Sequence, residues 1–228
     1  MENILLKYMD IRFNQGSEML PATPSAPFVT ISREFGCPSK LIANRLTTEI
    51  NKMQKTHPWH FVNKEIIEDS ANKLNVDPMK IKSVLSAQKR GIMDDVISSF
   101  SSKYYINSIS IRKTISDIIK SIAIKGYVII VGRGSVAITK GFPNSLHIRL
   151  QAPLEWRINE ICRVNGLSKS DAEKMANDTD TKRTALIESF LKCKPDQSIF
   201  DLIFNCKTMD INEIVKSIVY VMELKKMI

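Results

Sequence analysis

The chain has 228 residues, 43% of them hydrophobic and 25% charged, which is enough to bury the core of one ordinary domain. No run approaches the roughly 20 apolar residues of a membrane span, and Met1 to Asn14 carries charges where a signal peptide needs an apolar run, so residence in the cytoplasm without membrane attachment is expected. The net charge of +9 favours polyanionic partners, but lysines and arginines are spread along the whole chain and aromatics are only 7%, which argues against nucleic acid and leaves nucleotide ligands.

Cys37, Cys162, Cys193 and Cys206 stand far apart with no CxxC pair, and the histidines are His57, His60 and His147. That spacing argues against a structural zinc site and against a disulfide framework, and the cysteines read mostly as small buried hydrophobes.

In chain order, residues 1–14 fit a short helix, and residues 15–27, with three prolines and Gly16, read as a linker, together an N-terminal extension. Phe28 to Ser32 reads as a strand, followed by a helix with Leu41, Ile42, Leu46 and Ile50 on its apolar side. A second strand is expected at His60 to Val62, then a helix from Lys64 to about Leu74 and a helical stretch of mixed polarity from Asp77 to Ser108. Ile111, Ile115, Ile118 and Ile122 form a one-sided stripe, and YVIIV at 127–131 reads as a central strand. Leu146 to Leu150 and Leu202 to Phe204 give further strands, and a last amphipathic helix carries Ile211, Ile214, Val215, Ile218 and Met222, with Asp210 and Glu213 as a capped start.

Apolar strands alternating with amphipathic helices predict an α/β fold, a doubly wound parallel sheet of about five strands covered on both faces. Ligands of such sheets lie beyond the carboxyl ends of the strands, which directs attention to the residues after Ser32, Val62, Val131 and Leu150.

The first of these loops carries Gly36, Cys37, Pro38, Ser39 and Lys40 at the start of a helix, where backbone N–H groups and the helix dipole favour a phosphate. As a bare pattern it fits a tight strand-to-helix turn with a solvated lysine equally well. After the central strand, Arg133 sits between two glycines, where its fork suits a phosphate oxygen. Downstream, most cations of residues 157–183 fit a solvated helix face, but Arg157 and Arg183 stand out, and Asp180 shares a face with Arg183.

ISREFG, HFVNKEIIE, VIIVGRG, LQAP followed by Arg157, DTDTKR and FDLIFN occur in this order, and over residues 28–222 the chain resembles the cytidylate kinase-like family of P-loop phosphotransferases. The resemblance implies a P-loop kinase-type domain over 28–228 with a helical lid at about 157–183, ATP as donor with Mg2+, and a nucleoside monophosphate or similar small acceptor. It further implies that Gly36, Cys37, Ser39 and Lys40 hold donor phosphates, that Arg133 binds the acceptor with Asn63 and Asp180 nearby, and that Arg157 and Arg183 act from the lid. Lys40, Arg133, Arg157 and Arg183 are then the catalytic candidates. The chain departs from the resembling loop, which reads like GSGG, because Cys37, Pro38 and Ser39 follow Gly36 and Pro38 has no N–H. Leu41 follows Lys40 in place of a serine or threonine, and Asn63 stands where similar sequences carry aspartate. Two functions follow: phosphoryl transfer from ATP to a cytidylate-like acceptor, or a catalytically degenerate nucleotide-binding or regulatory protein of the same fold.

Overall fold

The computed structural model describes residues 26–63, Asn72 and residues 108–228. The helices expected over residues 1–14, 64–74 and 77–108, and most of the linker, lie outside the described residues.

Five parallel strands form one sheet: β1 (Phe28–Arg33), β2 (His60–Val62), β3 (Val128–Val131), β4 (Ser145–Gln151) and β5 (Leu202–Asn205), in the spatial order β2-β3-β1-β4-β5. The described helices are α1 (Ser39–Met53), α2 (Ser108–Lys125), α3 (Ser135–Ile138), α4 (Leu154–Asn165), α5 (Lys169–Leu191) and α6 (Ile211–Leu224). The three strands with the longest apolar runs, β3, β1 and β4, are neighbours, which is where a strand covered on both faces belongs.

Alternation along the strands divides the core. Val29, Ile31, Ile129, Val131, Leu146 and Ile148 are packed with Ile42, Leu46 and Ile50 of α1 and Ile214, Ile218 and Met222 of α6. On the opposite face Phe28, Val128 and Ile130 meet Ile111, Ile115, Ile119 and Ile122 of α2. The α2 stripe therefore runs through Ile119, while Ile118 packs only at its margin. Tyr127, expected inside the strand, precedes it: with φ of +51° it belongs to the turn after α2, and its ring stacks on His57 at 4.4 Å. At α6 the capping box is complete, with Asp210 accepting from the Glu213 N–H at 2.9 Å and Glu213 accepting from the Asp210 N–H at 2.8 Å.

Because every strand runs the same way, the segments after β1, β3 and β4 emerge at one edge of the sheet. α4 and α5 rise beside that edge and pack on each other through Ile161, Ala172 and Ala176, with Phe35 of the β1 loop against them. Among the described residues no helix is long and apolar enough to cross a membrane.

His147 of β4 is buried, with Nδ1 2.8 Å from Thr30 Oγ1, and burial is the main reason its pKa lies below the ordinary histidine value. The unfolded chain therefore takes up a proton near pH 6.5 that the folded chain refuses. Stability should be level above that pH and fall as pH drops from about 6.5 toward 5. Thermal melts across this range should show a steeper loss for the native chain than for His147→Gln.

Candidate active site

β1 ends at Arg33, and Glu34 and Phe35 begin the loop that leads to α1. Gly132, Arg133 and Gly134 follow β3 with φ of +77°, +62° and +71°, a left-handed run that glycine enters without strain. The run has a packing reason as well. A Cβ on Gly132 would lie 1.8 Å from Arg33 Nη1, and one on Gly134 would lie 2.8 Å from Phe190 Cδ2. The first glycine thus lets the Arg33 guanidinium lie against the backbone, and the second lets the turn seat on α5.

These residues line a cleft of about 170 Å³ together with Ser32, Glu34, Arg149, Asp180, Arg183 and the Thr184 to Ile187 side of α5. Arg183 is aimed by three contacts: Nη1 donates to the Arg33 carbonyl at 3.1 Å, the Asp180 carboxylate lies 3.6 Å away, and the guanidinium stands over the Phe35 ring at 5.5 Å. Arg149 is held 3.4 Å from Glu34 and over Phe200 at 5.5 Å. Four arginines thus face two carboxylates in the lining.

The excess charge is felt by the groups themselves. Burial, reinforced by repulsion from Arg183 and Arg133, lowers Arg33 to about 9, with Asp180 acting the other way. Arg183 is likewise lowered, first by burial, with Arg133 and Arg157 adding to the effect and Asp180 opposing it. An anion between these guanidinium groups would remove their mutual repulsion while accepting their N–H donors.

Arg157 is placed otherwise than the lid role implies. It is 7% exposed and turned inward beneath the β1 loop. Its Nε donates to the Ala152 carbonyl at 2.9 Å and lies 3.3 Å from Glu34, while Nη1 donates to the Phe35 carbonyl at 3.1 Å and to Asp180 at 2.7 Å. It does not line the arginine cleft. Asp180 also accepts from the Phe35 N–H at 2.7 Å. Burial raises the Asp180 pKa, and that N–H and the two arginines act against the rise.

Gly36 has φ of +97°, and a Cβ there would come within 3.0 Å of the Arg157 Cβ, so the loop lies directly on the first turn of α4. The Cys37 N–H donates to Glu34 O at 3.3 Å and the Ser39 N–H to Cys37 O at 2.8 Å. With Pro38 lacking an N–H, much of the loop's amide supply is engaged internally. The N–H groups of Lys40 and Leu41, at the open end of α1, have no acceptor within the helix. Lys40 is exposed and lines a second cleft with Cys37, Pro38, Ser39, Leu41, Asn44 and Phe61. Loop 36–40 and Arg133 line two separate clefts. Asn63, just past β2, lines neither.

Arg33, Glu34 and Arg149 escaped the sequence reading, although all three stand at or near the carboxyl ends of strands. Arg149 had a visible signal, as the one charge interrupting an apolar strand. Among the described residues no group of three or more His, Cys, Asp or Glu side chains could hold a metal ion, and Glu34 and Asp180 already accept from Ala152, Phe35 and Arg157.

The profile of the cytidylate kinase-like family matches residues 28–208. No curated protein matches the chain. Among solved structures, an uncharacterized protein from Eubacterium ventriosum ATCC 27560 superposes with a TM-score of 0.62 at 18% identity, covering 87% of this chain and 99% of its own. Shikimate kinase from Acinetobacter baumannii, in complex with shikimate, gives 0.50 at 9% identity, over 90% of this chain and 97% of its own. At these identities the likeness is one of fold.

Gly132→Ala tests the cleft's construction. The methyl must displace the Arg33 guanidinium, and the positive φ adds about 1–2 kcal/mol of strain. Calorimetry with inorganic phosphate or pyrophosphate should show anion binding weakened more than the modest loss of thermal stability alone suggests.

Proposed function

The chain belongs to the cytidylate kinase-like family, and we propose that it transfers a phosphoryl group from ATP to a small phosphate-bearing acceptor, a cytidylate-like nucleoside monophosphate or a similar compound. The observation that carries this reading is the cleft in which Arg33, Arg133 and Arg183 repel one another at the carboxyl edge of a parallel sheet. Such a cleft suits a phosphate dianion, and phosphoryl transfer relies mainly on positioned cations and backbone donors rather than covalent participation.

In this reading the acceptor phosphate lies among Arg33, Arg133 and Arg183. The donor phosphates lie against residues 36–40, where Lys40 and the open end of α1 offer a charge and free N–H groups. Arg157 does not touch substrate; with Asp180 it holds Phe35 and Gly36 so that the loop keeps its place beside the arginine cleft. Magnesium belongs with the donor phosphates, an ion that keeps several waters and needs few protein ligands, and no step here depends on it.

A second reading has its own support. Cys37 and Ser39 direct their N–H groups at carbonyls within the loop, so the donor loop as it stands offers few amides, as in a nucleotide-binding protein of this fold without turnover.

A coupled kinase assay over a panel of nucleoside monophosphates, with ATP binding measured in parallel with and without magnesium, separates the two. Product from one monophosphate supports transfer, and Arg133→Ala and Arg183→Ala should each lower kcat/KM by about a hundredfold. Their melting temperatures should fall by no more than about 4 °C. Nucleotide affinity indifferent to magnesium, with no product, would select the degenerate binder. Neither binding nor turnover would defeat both readings.

A further inference from the structure

Cys37 lies in the β1 loop at 8% exposure, and Cys206 directly follows β5 at 7%; both belong to the same buried cluster. Backbone contacts bring them to one place. The Glu34 N–H donates to Leu150 O at 3.0 Å and the Cys206 N–H donates to Gln151 O at 2.8 Å, so the two segments leave the sheet on either side of the end of β4. Their side chains lie there in the same buried cluster, close enough for each thiol to shift the other. Cys162 packs in a different cluster between α4 and α5, and Cys193 is exposed beyond α5.

We propose that Cys37 and Cys206 are a redox-active pair whose reversible disulfide fastens the β1 loop to the end of β5. Joining them requires the two sulfurs to close to the S–S length of about 2.05 Å. Cys37 also lines the open cleft beside Lys40, which gives a small oxidant a way in. The neighbouring thiol lowers the proton affinity of Cys206 and raises that of Cys37, so Cys206 is the readier nucleophile. With hydrogen peroxide as oxidant, the Cys206 sulfur attacks one peroxide oxygen, the O–O bond breaks, and the departing hydroxide takes a proton to become water. The Cys37 sulfur then attacks the resulting sulfenic sulfur, an S–S bond forms, and a second water leaves with the Cys37 proton. A dithiol restores both thiols by exchange. Disulfides in reducing compartments are mostly of this transient, sensing kind.

The consequence concerns the loop and rests on reading it as the donor site. In the present conformation Cys37 and Ser39 direct their N–H groups at Glu34 and Cys37 carbonyls. A triphosphate needs those amides turned outward, and a cross-link at Cys37 holds them where they are.

Titrating the reduced full chain with hydrogen peroxide should remove two hydrogens from its intact mass, reversibly with dithiothreitol, and a proteolytic map should join the Cys37 and Cys206 peptides. Cys206→Ser and Cys37→Ser should each abolish the link, and Cys193→Ser should leave it. Amide exchange over residues 34–40, read without nucleotide, should slow by about tenfold or more in the cross-linked form. ATP titrated against both forms should bind the reduced form at least about tenfold more tightly. Sulfenic or sulfinic adducts alone, Cys37 joined to Cys162 or Cys193, or unchanged exchange in the loop would overturn the proposal. If neither form binds ATP, the donor-site reading fails, while the mapped link and the exchange result still decide the pair.

Discussion

The site depends on one buried cation. A guanidinium withdrawn from water costs several kcal/mol unless its donors are met, and Arg157 meets this demand with the Ala152 and Phe35 carbonyls and the Asp180 and Glu34 carboxylates. These partners come from the end of β4, the β1 loop and α5, so satisfying one side chain fixes three segments relative to one another. Asp180 completes the tie by accepting the Phe35 N–H, and Glu34 by accepting the Ala152 N–H at 3.1 Å. Removing one member strands the others, a loss on the order of 3–5 kcal/mol for buried pairs and larger than most surface changes produce.

The arginine cleft is built on this tie and has the opposite balance. Arg183 leaves the same helix as Asp180 one turn later, and its direction follows from the tie: Asp180 holds one side, the Arg33 carbonyl the other, and Phe35 lies beneath. Arg33 and Arg183 are buried more deeply than their carboxylate partners compensate, which is why both are shifted downward. Under Arg157 the charges are matched and the structure closes. In the cleft they are not, and a bound anion would supply what the protein leaves out. A ligand that binds only the folded cleft also stabilises the fold.

Much of the fold was legible because burial leaves a periodic mark. The runs FVTIS, VIIV and LHIRL could only be strands covered on both faces, and their adjacency in the sheet follows from that. The capping box at Asp210 was legible because it is local. The failures share a cause, the absence of tertiary partners from the sequence. Arg157 looks the same in a row of charges whether it reaches into solvent or into the core. Arg33, Glu34 and Arg149 take their meaning from lying side by side, which the strand register determines: Ser32 pairs with Arg149 and Arg33 with Leu150. Tyr127 and Ile118 were misplaced by a single residue, because an apolar run does not mark its own boundary.

The two clefts differ in how far each is prepared for a phosphate. Arginine side chains do the work in one, and they stand ready because the tie beneath them is rigid. Backbone amides would do it in the other, and there the local sequence interferes: Pro38 removes a donor, and Cys37 turns its thiol toward Cys206 while its N–H folds back on Glu34. A glycine-rich turn wraps a phosphate because its amides lack competing acceptors and its φ angles are unrestricted. This loop keeps that freedom at Gly36 alone, and there the close contact with Arg157 uses it for packing. A triphosphate bound at residues 36–40 would therefore require the loop to rearrange against interactions it already makes, whereas the arginine cleft would require only that an anion arrive.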